Sequence, residues 1–184
     1  AGNLPYFPTN KVKITLDKAD LLKKGVIQES DSSRIAAEMT WNIPGNYVTK
    51  NNLLVLDLIA NNNWNRDVYF AVTTGQDTYV NMDPYFELTG MAYKITPFRH
   101  EKDPNPNKLG GVDTEVMYDN VMNKFQWGNM DKEELYMDEN NLRLTTNIRL
   151  QLANLADELI KEEKNDLAHD IIDKAFEVMP ERNV

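Results

Sequence analysis

The residues of this chain with most chemical capacity fall into two small polar clusters, and neither holds an activated nucleophile. The first is the run Asn61-Asn62-Asn63-Trp64-Asn65-Arg66. Amides, an indole and a guanidinium in one turn can hydrogen-bond hydroxyls while an apolar ring stacks, a mixture suited to a sugar. Asn62, Asn63, Trp64 and Arg66 are therefore candidate ligand-binding residues. The turn has a structural reading too, with Trp64 as a core plug and the asparagines satisfying turn backbone, and that is the commoner use of such residues. The second cluster is Asp113, Tyr118, Asp119, Asn120 and Asn123. Tyr118 belongs to an apolar stripe, so packing accounts for it. Asp119, Asn120 and Asn123 have no evident capping role and are further ligand-binding candidates.

Other routes to catalysis lack their sequence signatures. No G-x-S-x-G, G-x-x-x-x-G-K-[ST] or G-x-G-x-x-G occurs, and Gly110-Gly111 reads as a flexible loop. His100 and His169 have no partner at metal-ligand spacing. Asp131, Glu133, Glu134, Asp138 and Glu139 lack the Gly and the alternation of a calcium loop and read as a solvated face. With no cysteine, thiol catalysis, disulfides and thiolate metal sites drop out together. No catalytic residue, metal ligand or cofactor is assigned. A net charge of -9 and a pI near 4.7 argue against nucleic acid or an anionic membrane surface as partner.

The elements that must carry these clusters are read from periodicity. At 184 residues the chain suits one domain, or one with a small appendage. Val12, Ile14 and Leu16 alternate as a half-buried strand, and Asp17 caps a short helix over 18–24 that Gly25 closes. Ser30 to Ser33 can start a helix over 34–38, followed by a strand through Met39, Trp41 and Ile43 that Pro44-Gly45 ends. Thr49 caps a helix whose residues 53–60 are apolar almost all round, interrupted by Asp57, so the helix is expected in the interior. Residues 68–74, rich in β-branched and aromatic side chains, read as a strand covered on both faces. Helix and strand together predict an α/β core unit organised around 49–98.

Asp83-Pro84 predicts a short helix ending by Gly90, and Met91, Tyr93 and Ile95 a strand terminated by Pro97. Residues 99–111 carry two Pro and two adjacent Gly and form the expected boundary between a 1–98 core and a helical region, 112–184. There Tyr118, Val121, Met122 and Phe125 form one helical stripe ended by Trp127-Gly128, Asp131 and Glu134 suggest a capping box, and a long helix spans about 141–164. Leu152, Leu155, Ala156, Leu159, Ala168, Ile172, Ala175 and Pro180 fall at the offsets of a tetratricopeptide repeat of ~34 residues, placed at about 149–182. An ordinary helical hairpin is the alternative. The fold class is thus α/β (or α+β), a small mixed sheet with packed helices followed by a tetratricopeptide-like hairpin.

No run approaches the ~18 consecutive apolar residues of a spanning helix. The opening Ala1-Gly2-Asn3, with neither initiator Met nor signal segment, suggests a piece of something longer. Several strings carry a family likeness: Tyr6-Phe7-Pro8-Thr9, Lys50-Asn51-Asn52-Leu53 running to Leu56-Asp57, Asn62-Asn63-Trp64 before Tyr69-Phe70, Met117-Tyr118-Asp119-Asn120, Met122-Asn123-Lys124-Phe125, Trp127-Gly128, and Asp138-Glu139-Asn140-Asn141. In this order they resemble the C-terminal region of a family of large bacterial multi-pass membrane proteins related to protein O-mannosyltransferases and grouped with glycosyltransferases. The likeness runs from Leu4 to about Pro180. It departs at Arg66-Asp67, where the family tends to have Arg-Pro.

The resemblance implies that any glycosyl transfer occurs in a membrane-embedded part of the same polypeptide. The present chain would then be a non-catalytic accessory domain on the periplasmic face of the cytoplasmic membrane, positioning a glycan or protein acceptor or docking a partner. The alternatives are a tetratricopeptide-type adaptor for protein or peptide and, last, an independent carbohydrate-processing enzyme.

Overall fold

A computed structural model describes residues 9–43, 45, 47–132 and 134–180. The expected α+β character is present, with two sheets, helices, and a packed C-terminal hairpin. The contacts divide the chain into two compact units. The first takes the chain up to Glu87 together with Tyr93–Gly111, and the second takes Leu88–Ala92 with everything from Val112 onward.

In the first unit β1 (Lys11–Thr15) pairs antiparallel with β2 (Glu38–Asn42), Ile14 opposite Met39. The alternation of Met39 and Trp41 turns both inward. Between them α1 (Lys18–Lys23) starts at Asp17, whose carboxylate accepts from the Ala19 and Asp20 N–H groups, and Gly25 follows its end at φ 69°. The helix expected over 34–38 is not there. A single 3-10 turn, Glu29–Asp31, replaces it, and Arg34 lies over the Phe98 ring at 4.7 Å while Ile35 is buried. Strand β2 already claims Glu38.

Helix α2 (Lys50–Asn62) begins at Thr49 with a reciprocal cap, Asn52 N–H to the Thr49 hydroxyl and Thr49 N–H to the Asn52 amide. Its expected burial is overturned: no residue of α2 is buried, and Leu54 and Leu58 stand 60% and 52% exposed. Only Asn52, Leu53, Val55, Leu56, Ile59 and Asn62 are half-covered, most of them one face at i, i+3, i+4 spacing. Leu54 and Leu58 suit the helix by propensity and lie mostly in solvent.

The strand expected over 68–74 shrinks to β3 (Tyr69–Ala71), at the edge of a four-stranded sheet in the order β3-β5-β4-β6, and only Phe70 is buried in it. Val72 and Thr73 turn away, with Thr74 N–H bonded to the Ala71 carbonyl at 2.9 Å. β-branched residues suit a pleat, but an edge position covers one side only. The helix expected from Asp83 is one 3-10 turn, Asp83–Tyr85, after which β4 (Phe86–Leu88) is a strand with Phe86 and Leu88 inward. β5 (Ala92–Ile95) matches the Met91–Ile95 alternation, and β6 (Gly111–Val112) completes the sheet.

The centre of the first unit is aromatic. Tyr79 meets Phe86 edge-on at 5.2 Å, Phe86 stacks on Tyr93 at 5.5 Å, and Phe70 closes on Tyr79 at 5.4 Å. Gly110 is no free loop. At φ 64°, a Cβ there would fall 2.2 Å from the Phe86 carbonyl oxygen. Gly111 likewise lies against the His100 ring, whose Nε2 is 3.2 Å from Glu87 Oε1 but out of line for a hydrogen bond.

In the second unit α3 (Thr114–Asp119) widens into a π-helical turn, Asn120–Lys124. The buried residues are Thr114, Met117 and Val121, so of the stripe expected through Tyr118, Val121, Met122 and Phe125 only Val121 is buried and the other three are half-buried. The widened turn shifts the register by one residue. Among the described residues between Lys124 and α4 there are turns and no helix, one of them closed by the Leu135 N–H on the Lys132 carbonyl at 3.3 Å, where the sequence suggests a short capped turn. α4 (Glu139–Lys161) and α5 (Asn165–Val178) form the hairpin, packed through Leu152, Leu155, Ala156, Leu159, Ala168 and Ile171. Ala156 and Ala168 are buried where small side chains permit close approach.

Candidate functional site

The turn after α2 is held in an uncommon backbone conformation. Asn63 and Trp64 both adopt left-handed φ, 46° and 58°, a region that a bulky residue such as Trp seldom enters. Three contacts fix it. The Asn62 amide donates to the Arg66 carbonyl at 2.7 Å, the Asn65 N–H donates to the Asn62 carbonyl at 3.0 Å, and the Lys24 ammonium donates to the Asn63 carbonyl at 2.6 Å. Lys24 in turn pairs with Asp20 at 2.6 Å, so α1 anchors a turn 39 residues away.

This arrangement opens a cavity of about 370 Å³ in the first unit. Its floor is apolar, from Ile14, Leu21, Ile59 and Ile95, and one wall carries Asp17, Asp20 and Lys24. The turn itself adds Asn62, Asn63, Trp64, Asn65 and Arg66 to the lining, joined to Lys24 through the Asn63 carbonyl. The volume lies at the small end of ligand sites. Trp64 is half-buried and so is a wall of the cavity, with Arg66 exposed beside it. Asn62 is occupied by turn backbone, as the structural reading of the cluster has it, while Trp64 is not a core plug.

An indole, a guanidinium and amides thus share the lining with apolar side chains, and the Asp17 carboxylate is already engaged as a helix cap. At the far edge Asp67 accepts from Lys94 at 3.0 Å and from the Tyr69 hydroxyl at 3.3 Å.

The second predicted cluster lies in the second unit, on the π-helical turn. Asn120 donates to the Thr89 carbonyl at 2.7 Å, tying down the tip between β4 and β5, and Gly90 in that tip lies against Phe125. Asp119 accepts from Lys124 at 2.5 Å and from Asn123 at 2.8 Å. The Lys124 contact first, then the Asn123 bond, hold the Asp119 carboxyl below its ordinary range. Tyr118 donates to Asp170 at 2.7 Å, which raises its phenol. Asp113 caps α3 through the Val116 N–H at 3.0 Å. These bonds account for the cluster as structure.

Sequence reasoning finds the cavity's turn because its residues are contiguous. Asp17, Asp20 and Lys24 go unnoticed as site residues, because only the fold brings them to the same cavity, and no local signal marks them. Among the described residues no group of three or more His, Cys, Asp or Glu could hold a metal ion, and no helix is long and apolar enough to cross a membrane.

No curated protein and no solved structure matches the chain. Residues 1–116 match the family model described as TMEM260-associated domain 2, a domain associated with a membrane protein. The match includes the whole cavity and stops short of Asp119, Asn120 and Asn123. Spanning more than half of its length, it makes this chain a member of the TMEM260-associated domain 2 family.

Proposed function

We propose that the chain is a non-catalytic, extracytoplasmic accessory domain of a membrane glycosyltransferase-like protein, and that its cavity receives a sugar of the acceptor. One observation carries the reading: Asn63, Trp64 and Arg66 line one cavity of about 370 Å³ together with apolar Ile14, Leu21, Ile59 and Ile95, with Asn62 bracing the turn. Membership of a membrane-protein-associated family supports the location beside a membrane. The periplasmic side and the relation to protein O-mannosyltransferases rest on the sequence resemblance. In this reading the 1–98 core carries the cavity, 99–111 connects, and 112–184, with its repeat at about 149–182, presents a docking face. Any transfer chemistry belongs to the membrane-embedded remainder of the polypeptide.

The test is titration of the ¹⁵N-labelled chain with a panel of mono- and disaccharides, mannose among them. Saturable movement of the Trp64 indole signal and of the backbone amides of the turn is expected, the amide movement being lost in Trp64→Ala with unchanged circular dichroism. Silence toward every saccharide overturns the reading. A second reading, a tetratricopeptide-type adaptor, is favoured by the α4–α5 hairpin, which leaves Phe176 55% exposed.

A further inference from the structure

The α4–α5 hairpin leaves a groove of about 220 Å³ between its helices, lined by Arg149, Leu152, Ala153, Ile172, Ala175 and Phe176 among others. Ile172 and Phe176 are 39% and 55% exposed, and at i, i+4 spacing they stand on one ridge of α5. An aliphatic and an aromatic anchor along a groove between two helices is the geometry that accepts the apolar face of a third. Arg149 does not make this groove cationic to a visitor. Its guanidinium lies over the Phe176 ring at 5.4 Å, its Nη2 donates to the Met179 carbonyl, and its Nε is buried.

The rim is acidic. Helix α5 carries Asp166, Asp170, Asp173 and Glu177 against Lys174, four negative charges less one positive, a net of -3. Asp173 and Glu177 each follow a groove residue by one position and both are exposed, Glu177 shared with Lys174 at 2.9 Å. A second copy would set this helix against its own like in a chain of net charge -9, and anionic lipid or nucleic acid would be repelled in the same way. A cationic helix meets no such penalty.

We propose that the groove docks an amphipathic helix of a partner protein, its apolar residues over Ile172 and Phe176 and its Lys or Arg flanks against Asp173 and Glu177. This surface stands apart from the saccharide reading of the cavity, and either can fail without the other. The test is fluorescence polarisation on the full chain with three labelled probe peptides of about 18 residues, long enough to form helix on the groove. One places Leu and Lys at amphipathic helical period, one replaces its Lys by Glu, and one scrambles the period at constant composition.

Binding by the first probe alone is expected, weakened at least about tenfold by the charge-neutral Phe176→Ser and lost in Asp173→Lys/Glu177→Lys. All three substituted side chains are exposed, and circular dichroism checks the fold of each variant. Equal binding by the scrambled probe, or undiminished binding to Phe176→Ser, shows simple charge attraction and overturns the proposal. So does the absence of binding by any probe, or a concentration-dependent dimer that Phe176→Ser abolishes.

Discussion

Asn120 and Asn123 sit on the same π-helical turn but serve different ends, and substitution separates them. Asn120 bonds the backbone carbonyl of buried Thr89, so Asn120→Ala leaves a poorly hydrated acceptor and is expected to cost about 1–3 kcal/mol in urea unfolding. Asn123 bonds only the surface Asp119, and Asn123→Ala is expected to stay within about 0.5 kcal/mol. A buried phenol gives a prediction in pH. Burial first, and the neighbouring Tyr79 second, push the Tyr93 hydroxyl up to about 12 from 10.0. The fold therefore favours the neutral ring, a contribution complete below pH 10 and lost as pH rises from 10 towards 12. Tyr93→Phe is expected to flatten the fall of the urea midpoint over that window. At this scale the sequence displays Trp64 and its amides because they are adjacent, whereas Lys24, which holds the Asn63 carbonyl, is visible only in the fold.

Elements read well where one face is covered and badly where the number of covered faces had to be guessed. Alternation in β1, β2 and β5 and the cap residues Asp17 and Thr49 identify their elements directly. The apolar run in α2 suggests an interior helix, yet the helix touches its unit along one ridge. Thr49→Ala should then cost about 1 kcal/mol locally. Faster amide exchange in α2 is expected with little movement of the global midpoint, because no buried side chain couples α2 to the core. Leu155→Ala, in the interior of the hairpin, is expected to cost about 2–5 kcal/mol in global unfolding. Strand β4 escapes the sequence because Asp83-Pro84 announces a helix and three residues give period two too little length to be seen. The pair Gly110-Gly111 looks like slack, but the Phe86 carbonyl leaves no space for a Cβ at Gly110. Gly110→Ala is expected to destabilise by more than about 1 kcal/mol.

On the scale of the whole chain, the second unit is not a continuous stretch. The polypeptide passes between units after Glu87, after Ala92 and after Gly111. Leu88–Ala92 supplies the Leu88 carbonyl that takes the Asp113 N–H at 3.0 Å, the Thr89 carbonyl for Asn120, and the glycine beneath Phe125. A fragment beginning at Val112 lacks all three. It is expected to melt less cooperatively by circular dichroism than the intact chain, and a synthetic peptide spanning residues 86–94 should restore part of the difference. The seam near residue 116, where the match to the family model ends, is therefore a poor place for genetic exchange. A hybrid gene joined there inherits its helical half without the five-residue strap that completes it, unless the donor of the first half brings an equivalent one, so the two halves are constrained to be inherited together.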